Sequence, residues 1–163
     1  MSQLSDPLVL DLPAPHRPPC DDDATRARRA RTPLADIAAG LAASASLDLL
    51  PEGTGRRYAL LLETPAYEAW LIAWPSGTGL ALHDHGTSEA AVEVVRGRLR
   101  ERYDSHRGLQ TRWLHAGDRV ALPCDHVHEL LNLDDTEAVS VHVYGPRLGG
   151  LGFHTDEREL AAG

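Results

Sequence analysis

Residues 82–86 read LHDHG and place His83 and His85 two positions apart in a segment expected to be a β-strand. Side chains two apart on a strand project from one face, so both imidazoles can bind the same metal ion. A third histidine from another strand would complete the site, and residues 126–128 read HVH later in the chain. Imidazole is a ligand of iron, nickel, copper and zinc. The pattern predicts a metal centre, and the alternative left open by the spacing alone is a pair of surface histidines.

The length and charge of the chain favour a single domain that binds a small molecule. Its 163 residues are enough to bury a core. A formal net charge of −8 argues against nucleic-acid binding and against an anionic membrane surface. No apolar run is long enough to span a bilayer, and the first residues lack the pattern of a secretory signal. We expect a cytoplasmic protein that is a monomer or a small homo-oligomer.

The two cysteines lie in very different settings. Cys20 belongs to a Pro-rich segment, whereas Cys124 lies close to the later histidines. No structural disulfide is expected between them, and Cys124 is interpreted as a small buried apolar residue.

Two helical segments are expected before the β-rich part of the chain. Residues 1–32 are rich in Pro, Asp and Arg and are predicted to form a mobile arm, partly helical over 24–31 after the acidic residues 21–23. After Pro33, the spacing of Leu34, Ile37 and Leu41 predicts a short helix that packs on the outside of the main domain.

From Arg57 onward, short apolar runs alternate with turn residues, which is typical of an all-β barrel or sandwich. The main domain is predicted to span 33–150 and to be followed by a C-terminal tail at 151–163. The predicted strands are Tyr58–Glu63, Glu68–Trp74, Leu80–His83, Ala90–Val95, Leu99–Tyr103, Gln110–Leu114, Arg119–Leu122, His128–Leu133 and Val139–Tyr144.

Two segments resemble cysteine dioxygenase and its thiol-dioxygenase relatives in the cupin superfamily. They are residues 74–97, WPSGTGLALHDHGTSEAAVEVVRG, and residues 122–146, LPCDHVHELLNLDDTEAVSVHVYGP. The resemblance is most specific in HDH and TEAVSVHVY, and it covers most of 57–147. It implies an all-β fold with a single cupin (jelly-roll) barrel and a short N-terminal helical region.

The resemblance also implies the residues of the site. Three histidines would hold a non-haem ferrous ion: His83, His85 and His128. His126 is the rival for the third place, and His128 is preferred because its distance to Asn132 fits the family pattern. Three further residues match the family's relay beside the iron: Ser140, His142 and Tyr144. The residues alone agree with this set, because positions two apart on a strand share a face.

Two positions depart from the family. Ala90 stands where animal cysteine dioxygenases carry a cysteine that becomes crosslinked to the tyrosine, so that crosslink cannot form. Glu89, a fourth ligand in many cupins, is left out of the ligand set because Ala90, Val92 and Val94 are expected to face the core instead.

The residue that binds the substrate is less well matched. Leu60 stands where cysteine-specific members have an arginine for the substrate carboxylate, and leucine cannot pair with a carboxylate. Arg56 and Arg57 are close in sequence and could replace that arginine if the register shifts. Three residues are predicted to line the substrate site: Arg57, Trp74 and Arg147.

If the resemblance holds, the protein is a thiol dioxygenase that uses Fe(II) and O2 to oxidise L-cysteine or a related small thiol to a sulfinic acid. One alternative is an atypical cupin oxygenase with a different outcome, such as decarboxylation, or a different metal, such as nickel. Another is a cupin that binds a metal or ligand without turnover.

Overall fold

The computed structural model describes residues 33–154. The described part contains one α-helix, a 3-10 turn at Leu47–Leu49 and ten β-strands. The helix is α1 (Leu34–Ser44), and the strands are β1 (Arg57–Glu63), β2 (Glu68–Trp74), β3 (Gly79–Asp84), β4 (Glu89–Arg96), β5 (Arg98–Tyr103), β6 (Gln110–His115), β7 (Arg119–Leu122), β8 (His128–Leu131), β9 (Ala138–Gly145) and β10 (Gly152–Phe153).

The strands form two five-stranded antiparallel sheets. One has the order β1-β2-β9-β4-β7, and the other has the order β10-β3-β8-β5-β6. A cluster of buried side chains joins the two sheets, with Trp74 and Val94 from the first and Leu99 and Leu130 from the second. The sheets therefore enclose a common interior, and the all-β expectation is confirmed.

Strand β9 is buried on both faces, which explains why it has three valines and no Asp, Glu, Lys or Arg. Val139, Val141 and Val143 face outward and pack with Leu34 and Ala38 of α1, and all three valines are fully buried. The alternate residues of β9 face the interior of the two sheets. The helix thus covers one side of the strand, as its apolar spacing predicts, and leaves the other side for polar groups.

The nine predicted strands are all present, with ends that differ by two residues at most. The prediction missed β10, which begins at the second residue of the expected tail and pairs with the end of β3. The predicted helix at 24–31 and the arm at 1–32 lie outside the described residues, as do residues 155–163.

The expectation that the cysteines form no disulfide is wrong, because Cys124 is disulfide-bonded. Its side chain is buried, as expected. Cys20 lies outside the described residues. Within residues 33–154, neither helical segment has the length and apolar character that a membrane crossing requires.

Candidate metal centre

Three histidines converge in the interior between the two sheets. His83 on β3 and His128 on β8 are directly paired residues of neighbouring strands, and His85 follows just after the end of β3. The ring centroids of His83 and His128 are 4.6 Å apart, and the ring of His85 lies 5.1 Å from each of them. One ring nitrogen of each residue lies within 4.8 Å of the others, and all three side chains are buried. The histidine cluster that the LHDHG segment predicts is therefore present.

The turn after β3 fixes the position of His85. Gly86 adopts a φ of +62°, a backbone conformation that residues with a Cβ rarely adopt. Its N–H donates to Oδ1 of Asp84 at 2.8 Å, and the N–H of Ser88 donates to the carbonyl of His85 at 3.1 Å. These bonds hold the turn tightly and keep the imidazole of His85 beside that of His83.

Hydrogen bonds on the far side of two rings leave their Nε2 atoms facing inward. Nδ1 of His83 donates to the carbonyl of Ala81 at 2.7 Å, and Nδ1 of His128 donates to Oε1 of Glu101 at 2.8 Å. Because a neutral imidazole carries one hydrogen, each Nε2 keeps a lone pair for a metal ion. Nε2 of His85 lies 3.3 Å from Nε2 of His128, so the three rings share one small space.

The electrostatics of the cluster also suit a metal ion. Burial is the main cause that lowers the pKa of His83, of His85 and of His128. The rings are therefore neutral near pH 7, and the neutral ring is the form that coordinates metal. Nδ1 of His85 is buried and has no hydrogen-bond partner in the part of the chain that the structure describes. The donor set fits a transition metal bound by nitrogen.

The carboxylate of Glu101 holds His128 through the ring nitrogen that points away from the other two histidines. Oε1 of Glu101 accepts hydrogen bonds from His128 and also from Nε2 of His126 at 3.0 Å, and its other oxygen accepts from Arg112. Burial tends to raise the pKa of Glu101, but these three hydrogen bonds outweigh it and hold the pKa well below its usual range. His126 therefore donates a hydrogen bond to Glu101. His128 is the histidine that clusters with His83 and His85.

Sequence reasoning missed Glu101, although a signal was available. Leu99, Glu101 and Tyr103 alternate with arginines along β5, and Leu99 is fully buried. An acid on the core face of a strand is costly unless charged or hydrogen-bonding groups surround it. A glutamate at such a position thus indicates a buried polar network.

The network around Glu101 leads to a prediction about metal affinity. Glu101→Gln keeps the size of the side chain but removes the charge behind His128, and we expect metal affinity to fall by about 10- to 100-fold. Competition with a chromophoric chelator measures the change. Glu129→Gln on β8 is the matched control, because Glu129 pairs with Arg100 and Arg102 away from the three histidines. Equal affinities in the two variants would contradict the role of Glu101.

Three side chains of β9 form a hydrogen-bonded row beside the histidine cluster. Oγ of Ser140 lies 2.9 Å from Nε2 of His142, and Nδ1 of His142 lies 3.2 Å from the hydroxyl oxygen of Tyr144. The ring centroid of Tyr144 is 5.3 Å from that of His85. Burial lowers the pKa of His142 to about 3 and raises the pKa of Tyr144. Both groups are therefore neutral near pH 7.

In strand β4, beside this row, the residues expected to face the core do so. Ala90 is paired with Tyr144, and Val92 and Val94 are buried on the same inner face. The metal-ligand group formed by the three histidines does not include Glu89. Ala90 offers no thiol to the tyrosine.

The structure places two of the residues predicted to bind substrate in ion pairs. Arg57 contacts Glu137, and its guanidinium also donates to the carbonyl of Pro51 at 3.3 Å. Arg147 contacts Glu63 and lies 3.9 Å from Glu68. The geometry therefore brings neither guanidinium to the three histidines. Their assignment to substrate remains a prediction from the sequence alone.

Trp74, the third predicted substrate residue, is almost completely buried on the inner face of β2. Its indole N–H donates to Oγ of Ser140 at 2.8 Å. The guanidinium carbon of Arg56 lies 5.6 Å from the centroid of the indole ring. Of the two neighbouring arginines that the sequence offered, Arg56 is thus the one that lies over the buried indole ring.

Comparisons with known proteins give the family and the fold of the chain. The family model described as "Cysteine dioxygenase type I" matches residues 52–151, more than half of the chain. No curated protein matches the chain significantly in sequence.

Several solved structures share the fold. An uncharacterised protein with a double-stranded β-helix domain from Klebsiella pneumoniae is 20% identical, with a TM-score of 0.58, and the match covers 69% of this chain and 96% of that one. KdgF from Halomonas sp. is 19% identical, with a TM-score of 0.53 and coverages of 60% and 87%. An RmlC-like cupin from Shewanella frigidimarina is 20% identical, with a TM-score of 0.51 and coverages of 60% and 82%. These likenesses confirm the cupin fold.

Proposed function

Because the chain belongs to the cysteine dioxygenase type I family, we propose that it is a non-haem iron thiol dioxygenase. Its substrate is L-cysteine or a related small thiol, and its product is the sulfinic acid. The observation that supports this most directly is the buried cluster of His83, His85 and His128 next to the hydroxyl of Tyr144.

The reaction adds both atoms of O2 to the sulfur of the thiolate, so that R–S⁻ and O2 give R–SO2⁻. The sulfur loses as many electrons as O2 accepts, and no external reductant is needed. Ferrous iron, when bound, supplies a Lewis-acidic and redox-active centre for both reactants. Its ligands would be the inward Nε2 atoms of His83, His85 and His128.

The protein contributes charge and hydrogen bonding to this reaction. Three neutral imidazoles leave the positive charge of a metal ion uncompensated, which favours an anionic thiolate over a neutral thiol. Tyr144 keeps its hydroxyl hydrogen near pH 7 because burial raises its pKa. We assign Tyr144 the role of donor to the reacting oxygen or the substrate, held in place by His142.

We assign Arg56 to the carboxylate of the substrate. The guanidinium lies over the rings of Trp74 and Tyr58, at 5.6 and 5.8 Å from their centroids. Burial is the largest influence on the pKa of His83, and the charge of Arg56 adds to the same lowering. Of the three histidines, His83 is therefore the one on which this charge acts. Leu60, at the usual position of the arginine, is 46% exposed and offers no charge.

The test is oxygen uptake by the iron-loaded protein with L-cysteine, 3-mercaptopropionate and cysteamine. Metal content and product mass are measured on the same sample. A product heavier than the thiol by two oxygen atoms, made with iron bound, supports the proposal. Loss of carbon dioxide or activity only with nickel favours the atypical oxygenase. Metal binding without uptake of oxygen for any thiol favours a non-catalytic cupin.

Arg56→Gln tests the carboxylate assignment. We expect KM to rise about 10- to 100-fold for thiols with a carboxylate, since a charged hydrogen bond contributes roughly 1.5–3 kcal/mol. The KM for cysteamine, which has no carboxylate, should change little. Arg96→Gln is the control, because Arg96 pairs with Glu137 at the surface. Equal effects on all three thiols would contradict the assignment.

A further inference from the structure

We propose that Trp74 is a positioning residue that sets the direction of the hydrogen bonds through Ser140 and His142. In that direction, the hydroxyl hydrogen of Tyr144 is left to point at a molecule bound beside the three histidines. The tautomer of His142 that this predicts does not depend on the proposed function. Only the kinetic consequence does.

The first step concerns Ser140, which is fully buried. Its hydroxyl has two hydrogen-bond contacts among residues 33–154, Nε1 of Trp74 at 2.8 Å and Nε2 of His142 at 2.9 Å. An indole nitrogen can only donate, so the serine oxygen accepts from Trp74. The serine hydrogen cannot point toward another hydrogen, and it therefore points at His142. If Ser140 instead accepted both bonds, its own hydrogen would be buried without an acceptor.

The second step concerns His142. Burial lowers its pKa to about 3, so the ring is neutral near pH 7 and carries one hydrogen. Because Nε2 accepts from Ser140, that hydrogen is on Nδ1. Nδ1 then donates to the hydroxyl oxygen of Tyr144 at 3.2 Å.

The third step concerns the hydroxyl of Tyr144. Its oxygen already accepts from His142, so its own hydrogen is left for a different acceptor. The tyrosine ring lies next to the ring of His85, with 5.3 Å between the centroids. A reacting oxygen or a substrate group bound at the histidine cluster would be that acceptor. Trp74 therefore makes Tyr144 a donor toward the site.

The opposite direction would reverse this role. Tyr144 would donate to Nδ1 of His142, and Nε2 of His142 would donate to Ser140. The tyrosine could then only accept from the site. Hydrogen bonds in a row also polarise one another, so the donor at the start of the row influences every later member. Replacing the indole by phenylalanine leaves room for a water molecule where the N–H was, and such a water can accept the serine hydrogen. The opposite direction then no longer leaves that hydrogen without an acceptor, so both directions become possible.

The tautomer of His142 is the direct test. We use the full-length protein loaded with zinc, which is diamagnetic, and label the histidines with 15N. The signals of His142 are those absent from a His142→Gln spectrum. We expect a hydrogen on Nδ1 and none on Nε2 in the wild type, and a mixture of both tautomers in Trp74→Phe. A hydrogen on Nε2 in the wild type, or one unchanged tautomer in Trp74→Phe, would overturn the proposal.

Kinetics with iron supply the second readout. We expect Trp74→Phe to lower kcat roughly tenfold, with little change in the KM of the thiol. A positioned proton donor typically contributes about 10²- to 10⁴-fold to a rate, and the variant should lose only a part of this contribution because Tyr144 is still present. Trp113→Phe is the matched control, because Trp113 is partly exposed on β6 and stacks on Arg98. Its kcat and its His142 signals should match those of the wild type.

A double-mutant cycle separates this role from a general loss of packing. If Trp74 acts through Ser140, the Trp74→Phe/Ser140→Ala variant should be no slower than Ser140→Ala. Multiplied effects of the two changes would instead indicate that Trp74 acts by another route. If no thiol is oxidised by any variant, the proposed function fails, and the tautomer of His142 still decides the inference.

Discussion

His128→Ala will lose metal, whereas His126→Ala will keep it. The ring of His128 lies 4.6 Å from that of His83 and 5.1 Å from that of His85, and its Nε2 faces inward. The ring of His126 instead donates to the carboxylate of Glu101. Removing a direct ligand should cost more than the roughly 10- to 100-fold loss typical of a supporting residue. His126→Ala should weaken binding by about tenfold at most, because it removes one of three donors to Glu101.

Metal content after dialysis against a weak chelator measures both variants, and far-UV circular dichroism shows whether each is folded. His83→Ala and His85→Ala should lose metal as fully as His128→Ala, because each supplies one of three ring nitrogens within 4.8 Å of one another. Full metal retention in His128→Ala together with loss of metal in His126→Ala would show that His126, and not His128, is the third ligand.

The strands of the two sheets could be predicted because short apolar runs that end at turn residues are a local signal. Strands β2 and β7 begin and end at the predicted residues. In β9, valines alternate with Ser140, His142 and Tyr144, and this alternation fixes which side chains face the interior. The short strand β10 has no such pattern, because only two residues pair with β3. Pairing across the sheet defines it, and the sequence alone does not contain that information.

The cluster of three histidines could be predicted from strand geometry and the family pattern, but the partners of the charged residues around it could not. Arg57 is the first residue of β1 and Arg56 directly precedes it, and neighbouring residues of an extended chain point to opposite sides. Only the register of β1 decides which one faces inward. Glu101 is supported by residues far apart in sequence, so its role appears only when β5, β6 and β8 come together.

Tyr144→Phe will keep metal and lose rate. The ring of Tyr144 packs with Ala90, Val92 and Leu122, and phenylalanine preserves that packing. What the change removes is one hydroxyl, which lies 3.2 Å from Nδ1 of His142. No ring nitrogen of the three histidines is altered. Metal content and the far-UV spectrum should therefore match those of the wild type.

The lost rate follows from the protonation state of the hydroxyl. Burial raises the pKa of Tyr144, so the group holds its hydrogen across the neutral range and acts as a donor. A positioned donor typically contributes about 10²- to 10⁴-fold to a rate, and we expect kcat for thiol oxidation to fall by roughly 10²-fold. Tyr67→Phe is the control, since Tyr67 packs against the buried cluster between α1 and the outward-facing valines of β9. A Tyr144→Phe variant with normal kcat would remove the tyrosine from the chemistry, and one without metal would make its role structural.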